Sequence, residues 1–184
     1  MSSSSALNQP PGADTPCQTE REEAVLRCDA LPAAALSTLF QRFGIEVVWI
    51  ADGTPIPGSW FGTPEAGIIR QQLLIRGDTP LHSALHEGCH LICMDQQRRA
   101  ALHTNAGGDY DEENGVNYLQ ILLADHLPGV GRLRMQQDMD RWGYSFRLGS
   151  AQAWFEQDAK EARDWLRQHQ LIDNYDQPCW QLRL

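Results

Sequence analysis

His86 and His90 stand four residues apart within Leu81-His82-Ser83-Ala84-Leu85-His86-Glu87-Gly88-Cys89-His90-Leu91-Ile92, and this spacing constrains the fold more than any other feature. On a helix, residues i and i+4 emerge about 40° apart on one face, one turn from each other. Two imidazoles so placed can hold one metal ion between them. Leu81, Ala84, Leu85, Leu91 and Ile92 make the same stretch apolar enough to be buried. Gly77-Asp78-Thr79-Pro80 in front of it is a helix start: Asp78 or Thr79 can accept from the free first-turn amides, and Pro80 suits the first helical position, where no N–H is needed. The helix is predicted over residues 80–94.

Elements around it follow from periodicity. Leu31, Ala35, Leu36, Leu39 and Phe40 have helical spacing and run into Phe43-Gly44, where glycine suits a helix stop. Ile45-Glu46-Val47-Val48-Trp49-Ile50 is β-branched and aromatic and is followed by the turn pair Asp52-Gly53; residues 67–76 hold further extended runs, Ile68-Ile69 and Leu73-Leu74-Ile75. Between them, Pro55, Pro57, Gly58 and Gly62 around Trp60 and Phe61 predict a loop. Asp109-Tyr110-Asp111-Glu112 reads as a capping box opening a helix that runs to about Asp125, ahead of Pro128-Gly129. Ser150 opens a last predicted helix over residues 151–170, with Trp154, Phe155, Ala159, Ala162, Trp165 and Leu166 as its apolar face.

The 184 residues suit one domain with a real core, taken as residues 23–184, behind a lead-in over residues 1–22 whose Ser, Pro, Gly and Asp content cannot offset the entropy of ordering. The lead-in has neither a basic region nor an apolar core, so it does not read as a signal peptide, and no stretch approaches a membrane span. A net charge of −9 with no basic stripe argues against nucleic acid. Five cysteines with no CxxC pair argue against a disulfide framework, and the expected location is the cytoplasm.

Within the His86–His90 helix, Glu87 projects about 100° around from His86, off the metal but able to stand beside a metal-bound water as general base. This is the H-E-x-x-H pattern of zinc peptidases. A catalytic zinc takes three protein ligands and leaves one position open. A third histidine at the metzincin spacing is missing, since residues 93–97 are Cys-Met-Asp-Gln-Gln. The alternative is a glutamate on the following helix, and both Glu112 and Glu113 are available. Glu113 is favoured because Asn117 then lies one turn on, where its amide can orient a ligand; Glu112 falls to a first-turn capping role. Cys89 and Cys93 share the histidine face, but neighbours on one helix cannot surround a metal tetrahedrally, so both read as small buried residues. Asp109 to Glu113 is not a calcium loop, because Asn114 and Gln120 stand where glycine and the closing acid are required.

With HEGCH followed by EENGVNYLQILLADHLP, residues 31–128 resemble the ImmA/IrrE family of minimal gluzincin metallopeptidases. The resemblance implies an α+β, zincin-like fold: a small, mainly antiparallel sheet packed on the HExxH helix and a glutamate-bearing helix. It further implies His86, His90 and Glu113 as Zn2+ ligands and Glu87 as catalytic base. Cys89, Val116 and Leu119 depart from the family pattern. Residues 132–184 have no counterpart and are expected to form a helical C-terminal extension.

The function this reading predicts is zinc-dependent hydrolysis of a peptide or protein substrate, with His103 or Tyr110, in the loop before the glutamate helix, as candidate donors to the tetrahedral intermediate. His82, one turn before His86, is a candidate for supporting a ligand. The alternative is a non-catalytic zinc-binding pseudo-peptidase or interaction module that uses Trp142, Trp154, Trp165 and Trp180 as anchors. An intact Glu87 argues against it, since a purely structural site needs no base.

Overall fold

The computed structural model describes residues 25–184; the lead-in expected over residues 1–22 lies outside them. The chain is α+β. A 3-10 turn at Cys28–Ala30 precedes α1 (Ala35–Gln41), β1 (Glu46–Trp49), β2 (Gly67–Ile69) and β3 (Gln72–Ile75). There follow α2 (Leu81–Cys93), α3 (Gln96–Ala101), α4 (Tyr110–Ala124), α5 (Gly131–Trp142), a second 3-10 turn at Arg147–Gly149, α6 (Ala151–Gln157) and α7 (Lys160–Gln168).

The sheet is mixed, not mainly antiparallel. Its order is β1-β3-β2, with β1 parallel to β3 and β2 antiparallel to β3. Residues 67–76 fold back on themselves as a tight hairpin around Arg70, whose φ is +53°. This inserts β3 beside β1 and pushes β2 to the far side, so the long connection over residues 50–66 returns across the sheet. Ile68, Leu73 and Ile75 are fully buried against the helices.

Helix α2 is central, packing on the sheet and on α4; α4 in turn packs on α5 and α7. Twelve of the thirteen α2 residues are buried, Cys89 and Cys93 among them. Its start differs from expectation: Pro80 occupies the N-cap position and no side chain caps the helix. Thr79 Oγ1 accepts instead from the Arg76 amide at 2.9 Å, and Asp78 forms a two-pronged pair with the Arg76 guanidinium at 2.8 and 2.6 Å. The polar residues meant for the cap thus build the β3–α2 corner.

The predicted helix over residues 151–170 is two helices. Ser150 does cap the first, accepting from Ala153 N–H at 3.1 Å, but the chain breaks at Asp158–Ala159. The break lets Trp154 reach Tyr118 of α4 while Ala162 and Leu166 are buried from a separate helix. Asp158 at the break pairs with Arg147 at 2.8 Å. Helix α5, rich in Arg, Gln and Asp, has no clear apolar face in sequence; Met135 and Met139 carry its burial, and Asp138 is fully buried, accepting from Leu26 N–H and from Arg134 and Arg141.

Candidate metal centre

Three donor groups converge where α2 crosses α4. His86 Nε2 and His90 Nε2 lie 3.1 Å apart, and the two oxygens of Glu113 lie 3.3 Å from the first and 3.4 Å from the second. His86, His90 and Glu113 form a group able to hold a metal ion. Tetrahedral zinc with ligand bonds of about 2.0–2.1 Å has ligand–ligand edges of roughly 3.3–3.4 Å. The two imidazole nitrogens and the nearest Glu113 oxygen to each, a different oxygen for each histidine, lie at distances of that order, so the nitrogen and carboxylate donors suit a divalent metal ion such as zinc.

The helices explain the convergence. The i,i+4 spacing brings the two imidazoles together, their rings edge to face with centroids 4.7 Å apart. Asp109 Oδ1 accepts from Glu112 N–H at 2.9 Å and fixes the start of α4, placing Glu113 in its first turn, opposite the histidines.

The neighbouring Glu112 has another role. Its carboxylate does not cap the helix start as expected: the residue is 3% exposed. It receives two bonds from Arg98, at 2.8 and 2.9 Å, and one from Arg183, at 3.1 Å. Arg98 also donates to the Ala106 carbonyl, so the pair pins the 102–109 loop beside the metal site. One step along the helix therefore separates a candidate ligand from a structural acid.

Gln120, not Asn117, reaches a histidine of the triad. Its Oε1 lies 3.1 Å from His86 Nδ1 and its Nε2 donates to the His82 carbonyl at 2.9 Å. Because that donation fixes which end of the amide faces His86, Nδ1 must carry the hydrogen, leaving the Nε2 lone pair directed at the metal position. Asn117 Oδ1 is buried without a partner, as is His90 Nδ1. Gln120 sits two turns beyond Glu113, and only the crossing of α2 over α4 reveals that it reaches His86.

Glu87 is 8% exposed and lines the cavities on both sides of the triad. Burial, with repulsion from Glu65 and Glu113 opposed by His86, pushes its carboxyl up to about 7. Burial resists charge on His86, yet its contact with Glu113 holds its pKa above the usual imidazole value; burial and the neighbouring His86 push His90 down to about 3.

One cavity, about 210 Å³, is walled by Trp60, Phe61 and residues 104–107; the other, about 370 Å³, by Phe61, Glu65, Ser83 and residues 142–144. His86, Glu87 and Glu113 line both, so the triad sits at the middle of a cleft. Neither His103 nor Tyr110 lines these cavities. His103 is exposed and bonded to Thr104 Oγ1 at 2.7 Å, and Tyr110 is 67% exposed at the outer start of α4. The phenol that does face the triad is Tyr144, from the segment after α5, which no sequence motif marked. His82 is buried against Trp142 and Tyr144. Trp154 is core, while Trp142, Trp165 and Trp180 are half-buried against other aromatic or cationic side chains.

No protein-family model, curated protein or solved structure matches this chain. Among the described residues, no helix is long and apolar enough to cross a membrane.

Proposed function

We propose that this chain is a small zinc-dependent metallopeptidase of the gluzincin type, with a zincin-like arrangement of sheet, HExxH helix and glutamate helix. The observation that carries the reading is the convergence of His86, His90 and Glu113 within metal-binding reach of one another, beside a buried Glu87 in an open cleft. Zinc held there supplies a Lewis acid that polarises a carbonyl and makes water acidic near neutral pH. The chain supplies the rest. The cleft running past both sides of the triad suits an extended peptide. Glu87, buried beside the triad, takes a proton from the attacking water and delivers it to the leaving amine nitrogen, as general base and then general acid. Gln120 keeps His86 in the tautomer that can ligate.

The resemblance of HEGCH and EENGVNYLQILLADHLP to the ImmA/IrrE peptidases supports the same reading, as does the contrast between Glu113 and the structural Glu112.

The test pairs zinc analysis with cleavage of a peptide mixture followed by mass spectrometry. Glu87→Gln should keep one zinc per chain and lose roughly 10²–10⁴-fold in turnover. Cleavage by Glu87→Gln at the wild-type rate would overturn the assignment. Zinc retained after Glu113→Ala would overturn the ligand set.

A further inference from the structure

We infer that the Tyr144 hydroxyl is the donor that stabilises the oxyanion of the tetrahedral intermediate, and that His82 sets its direction; this rests on the peptidase reading and adds to it a catalytic residue from the C-terminal segment. Glu87 and the three ligands handle water and metal, but addition to a carbonyl also moves an electron pair onto its oxygen. A neutral hydrogen-bond donor fixed beside that oxygen lowers the barrier without reorganising.

Tyr144 shares the larger cavity with His86, Glu87 and Glu113. Its ring stands edge-on to His86, with centroids 5.7 Å apart and planes at 80°. Gly143 delivers it there: this residue ends α5 at φ +104°, a conformation open to glycine at little cost. The Tyr144 amide then donates back to the Met139 carbonyl at 3.0 Å, turning the chain sharply toward the triad. Phe146 stacks behind the phenol, with planes at 12°.

The direction of the hydroxyl follows from His82. That imidazole is buried, its Nδ1 3.4 Å from Tyr144 Oη and its Nε2 without a partner. An orphaned buried N–H is rarer than an orphaned acceptor, so the proton belongs on Nδ1 and is donated, over a long bond, to the phenol oxygen. The phenol hydrogen is then turned away from His82, toward the side where the Gln120 amide and the cavity lie. A phenol is protonated at neutral pH, so the group is available as a donor. In the reaction, the carbonyl π bond breaks as the water oxygen adds to carbon, and the electron pair on the former carbonyl oxygen accepts the Tyr144 hydrogen bond. No proton leaves the phenol. When the C–N bond breaks, that pair re-forms the carbonyl and Glu87 returns its proton to nitrogen.

Tyr144→Phe removes one oxygen and no packing. The variant should hold zinc as wild type does, keep its KM, and lose about 10²–10³-fold in kcat on a peptide that the wild type cleaves. Binding of methylphosphonate, a tetrahedral oxyanion, to the cobalt-loaded protein gives a readout independent of turnover: Tyr144→Phe should bind it at least tenfold more weakly, with azide binding unchanged. An unchanged kcat, or methylphosphonate affinity equal to wild type, overturns the inference. If the wild type cleaves no peptide, the peptidase reading is what fails, and the methylphosphonate comparison still decides the role of Tyr144.

Discussion

Replacing Gly88 by alanine in the middle of α2 should destabilise the protein, although alanine is the better helix former. The propensity gain is about 1 kcal/mol. Against it, a Cβ at position 88 would lie 2.2 Å from both Cε1 and Cζ of Phe40 and 3.2 Å from Cε2. Ordinary contact begins near 3.4 Å, so the ring or the helix must retreat by more than 1 Å. Phe40 is fully buried, and overpacking of this kind costs about 1–3 kcal/mol. The loss of contact around a displaced ring adds to it, so the net expectation is a loss of about 1–2 kcal/mol, or roughly 2–8 °C in Tm for a chain of this size. Because Gly88 lies between the two histidines of the proposed zinc site, the dissociation constant for zinc should rise too. Thermal unfolding of wild type, Gly88→Ala, Phe40→Leu and the double variant is the assay. Phe40→Leu makes room for the new methyl, so the two changes should cost about 1 kcal/mol less together than their sum. A higher Tm for Gly88→Ala, or additive behaviour in the double variant, would refute the argument.

Glu112→Gln should lower stability by about 3 kcal/mol, the low end for breaking a buried pair because Arg98 and Arg183 can partly rehydrate; denaturant unfolding and zinc analysis together check this, since stoichiometric zinc should remain. Gln120→Leu should weaken zinc binding about 10–100-fold with the fold intact, and competition with a chelator measures it; unchanged affinity would remove Gln120 from the ligand's support. His82 gives a pH signature. Its imidazole is pushed down to about 3 by burial first and by His86 and Arg27 second, whereas the unfolded side chain titrates near 6.5. Above pH 6.5 both states are neutral and this contribution is complete. As pH falls toward 3 only the unfolded chain takes the proton, so stability declines by up to about 1.4 kcal/mol per unit. Urea unfolding of wild type and His82→Phe at pH 8 and pH 5 should show the smaller pH loss in the variant, and equal losses would count against a neutral His82.

Much of the centre is local in sequence, and local features are legible. The i,i+4 histidines, the glutamate between them and an Asp-led helix start are properties of single helices, whose periodicity turns spacing into direction. The β-branched run of β1 and the Ser150 cap were legible for the same reason. A broken helix at Asp158 was not, because a continuous apolar stripe cannot say that its two halves pack on different helices, the first on α5 and the second on α4. Nor was α5, in which Met135 and Met139 are buried among charged neighbours.

What the sequence by itself determined is that one buried helix would carry two imidazoles and a carboxylate on adjoining faces. Only tertiary structure decided which residues from elsewhere meet them. The crossing of α2 and α4 gives His86 to Gln120 and leaves Asn117 Oδ1 without a partner; Arg98 and Arg183 claim Glu112; Gly88 admits the Phe40 ring; and the turn at Gly143 brings Tyr144 to the cleft that His103 and Tyr110 do not line. Helical spacing fixes angles within one element, but contacts between elements depend on how close-packed side chains set the distance and rotation of whole helices.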